Sequence, residues 1–166
     1  VGHGLTTKAD LENSAEVWAL MLALSQDIGH KLRKYDKRAG GVQIDIRNNQ
    51  LKTKQWQCKL SPHTNSAAII AKAAYTLFEK SYSWDYPIRS VTVRAIDLYA
   101  ASAPDQLDMF GNTAVVDKKE RLESVVEEIH RRFGKNSILP ATISRSLPKL
   151  PTDREVEIRM PTGMLS

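Results

Sequence analysis

The chain has a single cysteine, Cys58, among its 166 residues. That excludes an internal disulfide and a zinc site built from several thiolates. The four histidines, His3, His30, His63 and His130, are scattered and have no ligand spacing. No apolar run approaches the ~18 residues of a membrane span. Nothing resembles a signal peptide, so a cytoplasmic protein with no membrane partner is expected. There is no glycine-rich phosphate loop and no supportable Ser-His-Asp arrangement. Two-metal nucleotidyl transfer needs carboxylates clustered at strand ends, whereas Asp10, Asp27, Asp36 and Asp45 are dispersed and suit caps or surface. The residues therefore offer no catalytic site and no cofactor site.

What is present is a globular composition, with 42% hydrophobic and 26% charged residues. The length suits one domain of ordinary size plus an appendage. The net charge of +5 is unevenly placed: residues 1–100 carry 14 Lys/Arg against 9 Asp/Glu, and residues 101–166 carry 10 of each. A basic domain followed by a neutral segment points to a polyanion partner for the first part alone, or to an ordinary solvated surface.

Hydrophobic periodicity divides the chain into elements. Gly2 to Lys8 has no helical period and is expected to be a strand. Asn13 followed by Glu16 fits a capping box. It opens a helix from about Ser14 to Tyr35, whose stripe is Val17, Leu20, Met21, Leu24, Ile28, Leu32 and Tyr35. Ala39-Gly40-Gly41 is expected to end that unit. Val42, Ile44 and Ile46 then alternate with Gln43, Asp45 and Arg47, and Trp56, Cys58 and Leu60 alternate with Gln55, Gln57 and Lys59. These are two half-buried strands of a hairpin. Pro62 to Ser66 punctuates, with Thr64, Asn65 or Ser66 capping a helix striped by Ile69, Ile70, Ala73, Ala74, Leu77 and Phe78. Val91, Val93 and Ala95 alternate with Ser90, Thr92 and Arg94 in a fourth strand. Asp117 and Glu120 suggest a further capping box for a helix striped by Leu122, Val125, Val126, Ile129 and Phe133 and ended by Gly134. Four of the seven prolines lie from Pro140 onward, so the tail is expected to be extended or to dock by short segments.

The fold expected is α+β: a β-α-β-β-α-β four-stranded sheet with two helices on one face, then a C-terminal helix and an extended tail. The expected divisions are 1–100, a linker over 101–112, a helix over 113–139 and a tail over 140–166. The sheet face away from the helices would carry Arg47, Gln55, Gln57, Lys59, Thr92 and Arg94. RNA-reading sheets stack bases on exposed aromatics of their central strands. The only aromatic expected there, Trp56, is turned to the helix side. Polar and basic groups without aromatics suit phosphate contacts, which position a backbone without reading sequence.

One stretch resists a purely structural account. Gln106-Leu107-Asp108-Met109-Phe110 places large apolar residues after a loop-like Ala-Ser-Ala-Pro run. It is either a peptide held for a partner's pocket or a latch folded back on this domain. Taken in order, GHGLTT, HKLRKYDKRAG, GVQIDIR, KLSPHTNSAAIIAKAAYTLFEK, IRSVTVRAIDL, QLDMF and RRFGKNSIL resemble the C-terminal little-finger domain and tail of bacterial Y-family, or translesion, DNA polymerases. The resemblance covers roughly Val1 to Leu139. It implies a fragment that binds primer-template DNA and the bacterial β sliding clamp and acts in DNA damage repair and the SOS response, in the nucleoid. Catalysis and its Mg²⁺ would belong to a domain outside this chain. It further implies DNA contacts from His3, Thr6, Thr7, Arg47, Lys52, Lys54, Gln55, Gln57, Lys59, Thr92 and Arg94. Gln106, Leu107, Asp108, Met109 and Phe110 would be the clamp peptide, with Met109 standing where the family more often has Leu. An independent ferredoxin-like adaptor for RNA or protein is the other class of function the pattern allows.

Overall fold

A computed structural model describes residues 1–102, 113–134 and 137–146. The elements in chain order are β1 (Gly2–Leu11), α1 (Ser14–Lys34), β2 (Lys37–Asn48), β3 (Thr53–Thr64), α2 (Ala67–Ser81), β4 (Ile88–Ala100), α3 (Thr113–Phe133) and α4 (Ala141–Ser146). The capping box forms: Asn13 Oδ1 accepts from the Glu16 amide at 3.0 Å, and Glu16 reaches back to the Glu12 amide at 3.2 Å. Two orphan donors at the start of α1 are thereby satisfied. Ser66 caps α2, its hydroxyl accepting from the Ile69 amide.

The sheet order is β1-β4-β2-β3, with all pairs antiparallel. Each crossover unit is split by a strand of the other: β4 lies between β1 and β2, and β2 lies between β3 and β4. The central strands are therefore β2 and β4, and β3, expected to be central, is an edge strand. That position also explains how β3 runs past Pro62 to Thr64, because an edge strand can lack a ladder donor on its outer side.

Register and burial agree on the core. Val42, Ile44 and Ile46 stand opposite Ala95, Val93 and Val91. They pack under Val17, Leu20, Met21, Leu24, Ile28 and Leu32 of α1 and Ile70, Ala74 and Phe78 of α2. Both helices thus cover one face of the sheet.

Two expectations change. First, Ala39-Gly40-Gly41 does not end a unit but lies inside β2. The glycines serve close approach: a Cβ on Gly40 would meet the Tyr99 ring at 2.6 Å, and one on Gly41 would meet Ile96 at 2.9 Å. Second, Asp117 is no cap, because α3 begins at Thr113. Of the two forms expected for the tail, docking by a short segment is seen in its described part. Ala141–Ser146 is a short helix whose Ile143 is buried against Leu22 and Ala71.

The apolar stripe of α3 is only partly covered: Leu122, Val125 and Phe133 are exposed, and Val126 and Ile129 are half-buried. The helix docks chiefly through carboxylates. Glu120 accepts from Thr64 Oγ1 at 2.9 Å, the Asn65 amide at 3.1 Å and Arg38 at 2.9 Å. Glu123 accepts from Ser66 Oγ at 2.6 Å, the Ala67 amide at 2.7 Å, the Ala68 amide at 3.1 Å and Arg33 at 2.9 Å. Glu127 accepts from Arg33 and, at 2.7 Å, pairs with His30. Spacings of three and four keep all three acids on one face. Glu123 meets the unsatisfied amides and positive end of α2, where a carboxylate is favoured, and Glu120 sits just before it.

Candidate nucleic-acid interface

The strand registers decide which side chains share the face away from the helices. Ladder partners point the same way. Opposite the core residues of β2 and β4, the outward set is Gln43, Asp45 and Arg47 with Arg94, Thr92 and Ser90. β3 adds Thr53, Gln55, Gln57 and Lys59, and β1 adds Gly2, Gly4 and Thr6. Six of the expected contacts therefore converge on the open face with Thr6: Arg47, Gln55, Gln57, Lys59, Thr92 and Arg94. Thr53, Gln43 and Ser90 belong to the same face, and period-two alternation was the signal that could have added them.

The face has a defined local geometry. Arg94 donates to Asp45, and Gln43 Nε2 donates to Asp45 at 3.3 Å. One carboxylate thus offsets one of the three cations, leaving Arg47 and Lys59 as exposed basic groups at opposite ends of the β2-β3 pair. Arg94 and Thr92 lie over the edge strand, where Gly2 and Gly4 leave them room. A Cβ at Gly2 would come within 2.7 Å of Arg94 Cγ, and one at Gly4 within 2.3 Å of Thr92 Oγ1. This is the physical content of the opening Gly-His-Gly. Gly4→Ala is expected to displace Thr92 and β1 together and to destabilise the domain by about 1–3 kcal/mol, as overpacking does; a melting curve against the unaltered chain checks it.

Three of the expected contacts lie on the helix side of the sheet. His3, Leu5 and Thr7 form the inner row of β1, opposite Val93 and Val91. His3 Nδ1 lies 2.8 Å from the Asp27 carboxylate of α1. Thr7 is buried and donates to the Arg89 carbonyl at 3.1 Å. Lys54 stands opposite Ile46, on the helix side. Together with Lys52 at the hairpin tip it lines a recess that includes Tyr82, Asp85 and Tyr86. The physical reason is period two: residues 3, 5 and 7 share a row, and so do 54, 56 and 58, so a candidate one position off faces the other way. Trp56 is on the helix side as expected, edge-on to Tyr82 at 6.4 Å.

Gln106, Leu107, Asp108, Met109 and Phe110 lie outside the described residues. Among the described residues no group of His, Cys, Asp and Glu could hold a metal ion, and no helix is long and apolar enough to cross a membrane.

Residues 1–109 match the family model of the impB/mucB/samB family C-terminal domain. The chain belongs to that family. Among curated relatives, DNA polymerase IV of Acetivibrio thermocellus is 33% identical over 138 residues, covering 83% of this chain and 35% of that protein. DNA polymerase IV of Alkaliphilus oremlandii is 24% identical over 150 residues, 86% of this chain and 37% of that protein. The chain thus spans about a third of the length of these relatives. A solved structure described as a complex of the beta-clamp processivity factor and the little finger domain of PolIV aligns with a TM-score of 0.48 at 14% identity, over 63% of this chain and 89% of that one. The impB/mucB/samB C-terminal domain in this chain is residues 1–109, so the match takes in the whole sheet, both helices over it and all but the last residue of QLDMF.

Proposed function

We propose that this chain is the non-catalytic, DNA-gripping and clamp-docking part of a Y-family translesion polymerase acting in DNA damage tolerance. It would work in the bacterial cytoplasm on nucleoid DNA, and Mg²⁺ would be needed only by a catalytic region elsewhere. The observation that carries the DNA half is the open sheet face. It is a surface of hydroxyls, amides, Arg47, Lys59 and Arg94 with no counterpart of the apolar row beneath it. Such groups hydrogen-bond and neutralise phosphates while ignoring base identity. A twisted sheet also presents them along a curved line that a duplex backbone can follow. The clamp half is supported by the Gln-Leu-Asp-Met-Phe pattern. A polar residue can fix its register, two large apolar residues can fill a pocket, and Met is adaptable enough to serve between them.

Duplex binding should be nearly independent of sequence and fall steeply with salt. Each phosphate contact contributes about −0.9 to the slope of log affinity against log salt. Replacing Arg47 and Lys59 together by alanine should weaken all duplexes alike and reduce the magnitude of the slope by about 2. Fluorescence anisotropy over 50–200 mM salt measures both. An unchanged slope in the double variant would place DNA binding elsewhere. Lys54→Ala serves as the comparison, since its side chain belongs to the helix side and its loss should leave the slope nearly unchanged.

A further inference from the structure

The edge of the sheet at β3 carries a groove that the proposed activities leave unused. Among the described residues no strand pairs with the outer side of β3. α2 lies over this side of the sheet, and its flank joins Cys58 of β3 to form a groove of about 370 Å³ lined by Ile69, Lys72, Ala73, Thr76, Leu77 and Lys80. Positions 69, 73, 76/77 and 80 recur at helical spacing, so they form one stripe along α2. The floor is apolar and the rim is basic. Lys72 and Lys80 are exposed and eight residues apart, about 12 Å along the helix. The only carboxylate of α2, Glu79, is engaged with the Tyr75 hydroxyl. Lys80 also acts on the Cys58 thiol, which burial pushes above its ordinary value, so the lysine lies close over the groove.

An edge strand offers alternating amide donors and carbonyl acceptors that only another peptide backbone can match. A strand added outside β3 would slide beneath the α2 flank. Every second side chain would face Ile69, Ala73 and Leu77, and the ends would lie within reach of Lys72 and Lys80. A second copy of this chain fits badly, because its β3 carries Lys54 and Lys59 and no carboxylate, so it would add positive charge beside Lys72 and Lys80. A nucleic-acid backbone fits badly too, because phosphates donate nothing to the strand's carbonyls and gain nothing from an apolar floor.

We propose that the outer edge of β3 beneath the α2 flank is a peptide-docking site. It takes an extended segment of a partner protein as a fifth strand, apolar at alternate positions and acidic at its ends.

The test uses the full chain and a fluorescein-labelled peptide, Glu-Thr-Val-Thr-Val-Thr-Glu. Binding should slow amide exchange across Thr53–Leu60 and slow alkylation of Cys58 at least tenfold at saturation. Lys72→Glu with Lys80→Glu should weaken that peptide at least tenfold and create binding for the same peptide with lysine ends. Both substitutions are on exposed positions, so the melting temperature should be unchanged. A peptide with proline at its central position should not bind. Protection that appears on the open sheet face instead of β3, affinity indifferent to the charge reversal, or concentration-dependent pairing of the chain with itself at this edge would each overturn the proposal.

Discussion

Changing Leu107 and Phe110 together to alanine is expected to abolish binding to the bacterial sliding clamp while leaving duplex affinity and the melting temperature nearly unchanged. A short docking peptide concentrates its energy in a few apolar anchors, each worth about 2 kcal/mol or more on truncation. Two anchors lost together cost about 4 kcal/mol, close to a thousandfold in affinity. Gln106→Ala should weaken binding by less, because a polar register contact is partly replaced by water. Met109→Leu should be neutral or slightly strengthening, since it exchanges one adaptable side chain for another of similar volume. Surface plasmon resonance on immobilised clamp measures all three. The stability control separates the two accounts of this peptide. A double variant that melts markedly lower and still binds the clamp would make QLDMF part of this protein's own core and end the docking assignment.

The second large effect concerns α3. Glu123→Ala is expected to undock α3 and to lower the stability of the helical layer by about 2–4 kcal/mol, combining the loss of a helix cap with an ion pair broken on one side. Glu123 and Arg33 are only 14% and 15% exposed, so without Glu123 the arginine stays largely out of water with Glu127 as its one remaining carboxylate. Glu123→Gln should recover part of the loss, because its single amide oxygen can still accept from one of the Ala67 and Ala68 amides, without matching the charge. For a chain of this size each kcal/mol moves the melting temperature by roughly 2–4 °C. Hydrogen exchange should show α3 losing protection first and the β2-β4 core last. The same latch has a pH dependence. Burial pushes the Glu127 carboxyl up, but its hydrogen bonds and charge contacts with Arg33 and His30 outweigh that, and its value lies below the ordinary 4.5. A group with a depressed folded value contributes stability that is complete above the unfolded value and lost as the pH falls through the folded one. Docking of α3 should therefore hold from neutrality down to the ordinary carboxylate range and weaken below it. Docking that stayed unchanged well below the ordinary carboxylate range would mean that the Glu127 charge does not govern the latch.

Local pattern alone determined a good deal of this protein. Alternation in GVQIDIR and QWQCKL is a two-residue code, and only one face of each strand can be buried, so both the strands and the polar row of the open face follow from it. Asn13 with Glu16 marked the start of α1 because capping is settled within four residues, and the stripe from Val17 to Leu32 marked its buried side. The QLDMF peptide was legible for the same reason: its interest lies in residue types, not in contacts. What needed the tertiary structure was every question about which distant group stands opposite. Period two could not say whether His3 or Gly4 faces the helices until β1 was laid against β4, and that register sent His3 and Thr7 inward, whereas Lys54 shares the row of Trp56 by alternation alone. The order β1-β4-β2-β3 is set by long-range pairing, so nothing local could show that β3 is an edge with a groove beside it. The role of α3 was decided furthest from its own sequence. Its apolar stripe predicts burial, but the arginines of α1 and β2 and the bare amides of α2 supply a stronger partner for Glu120, Glu123 and Glu127. Those charges and dipoles come together only once the two helices are packed side by side.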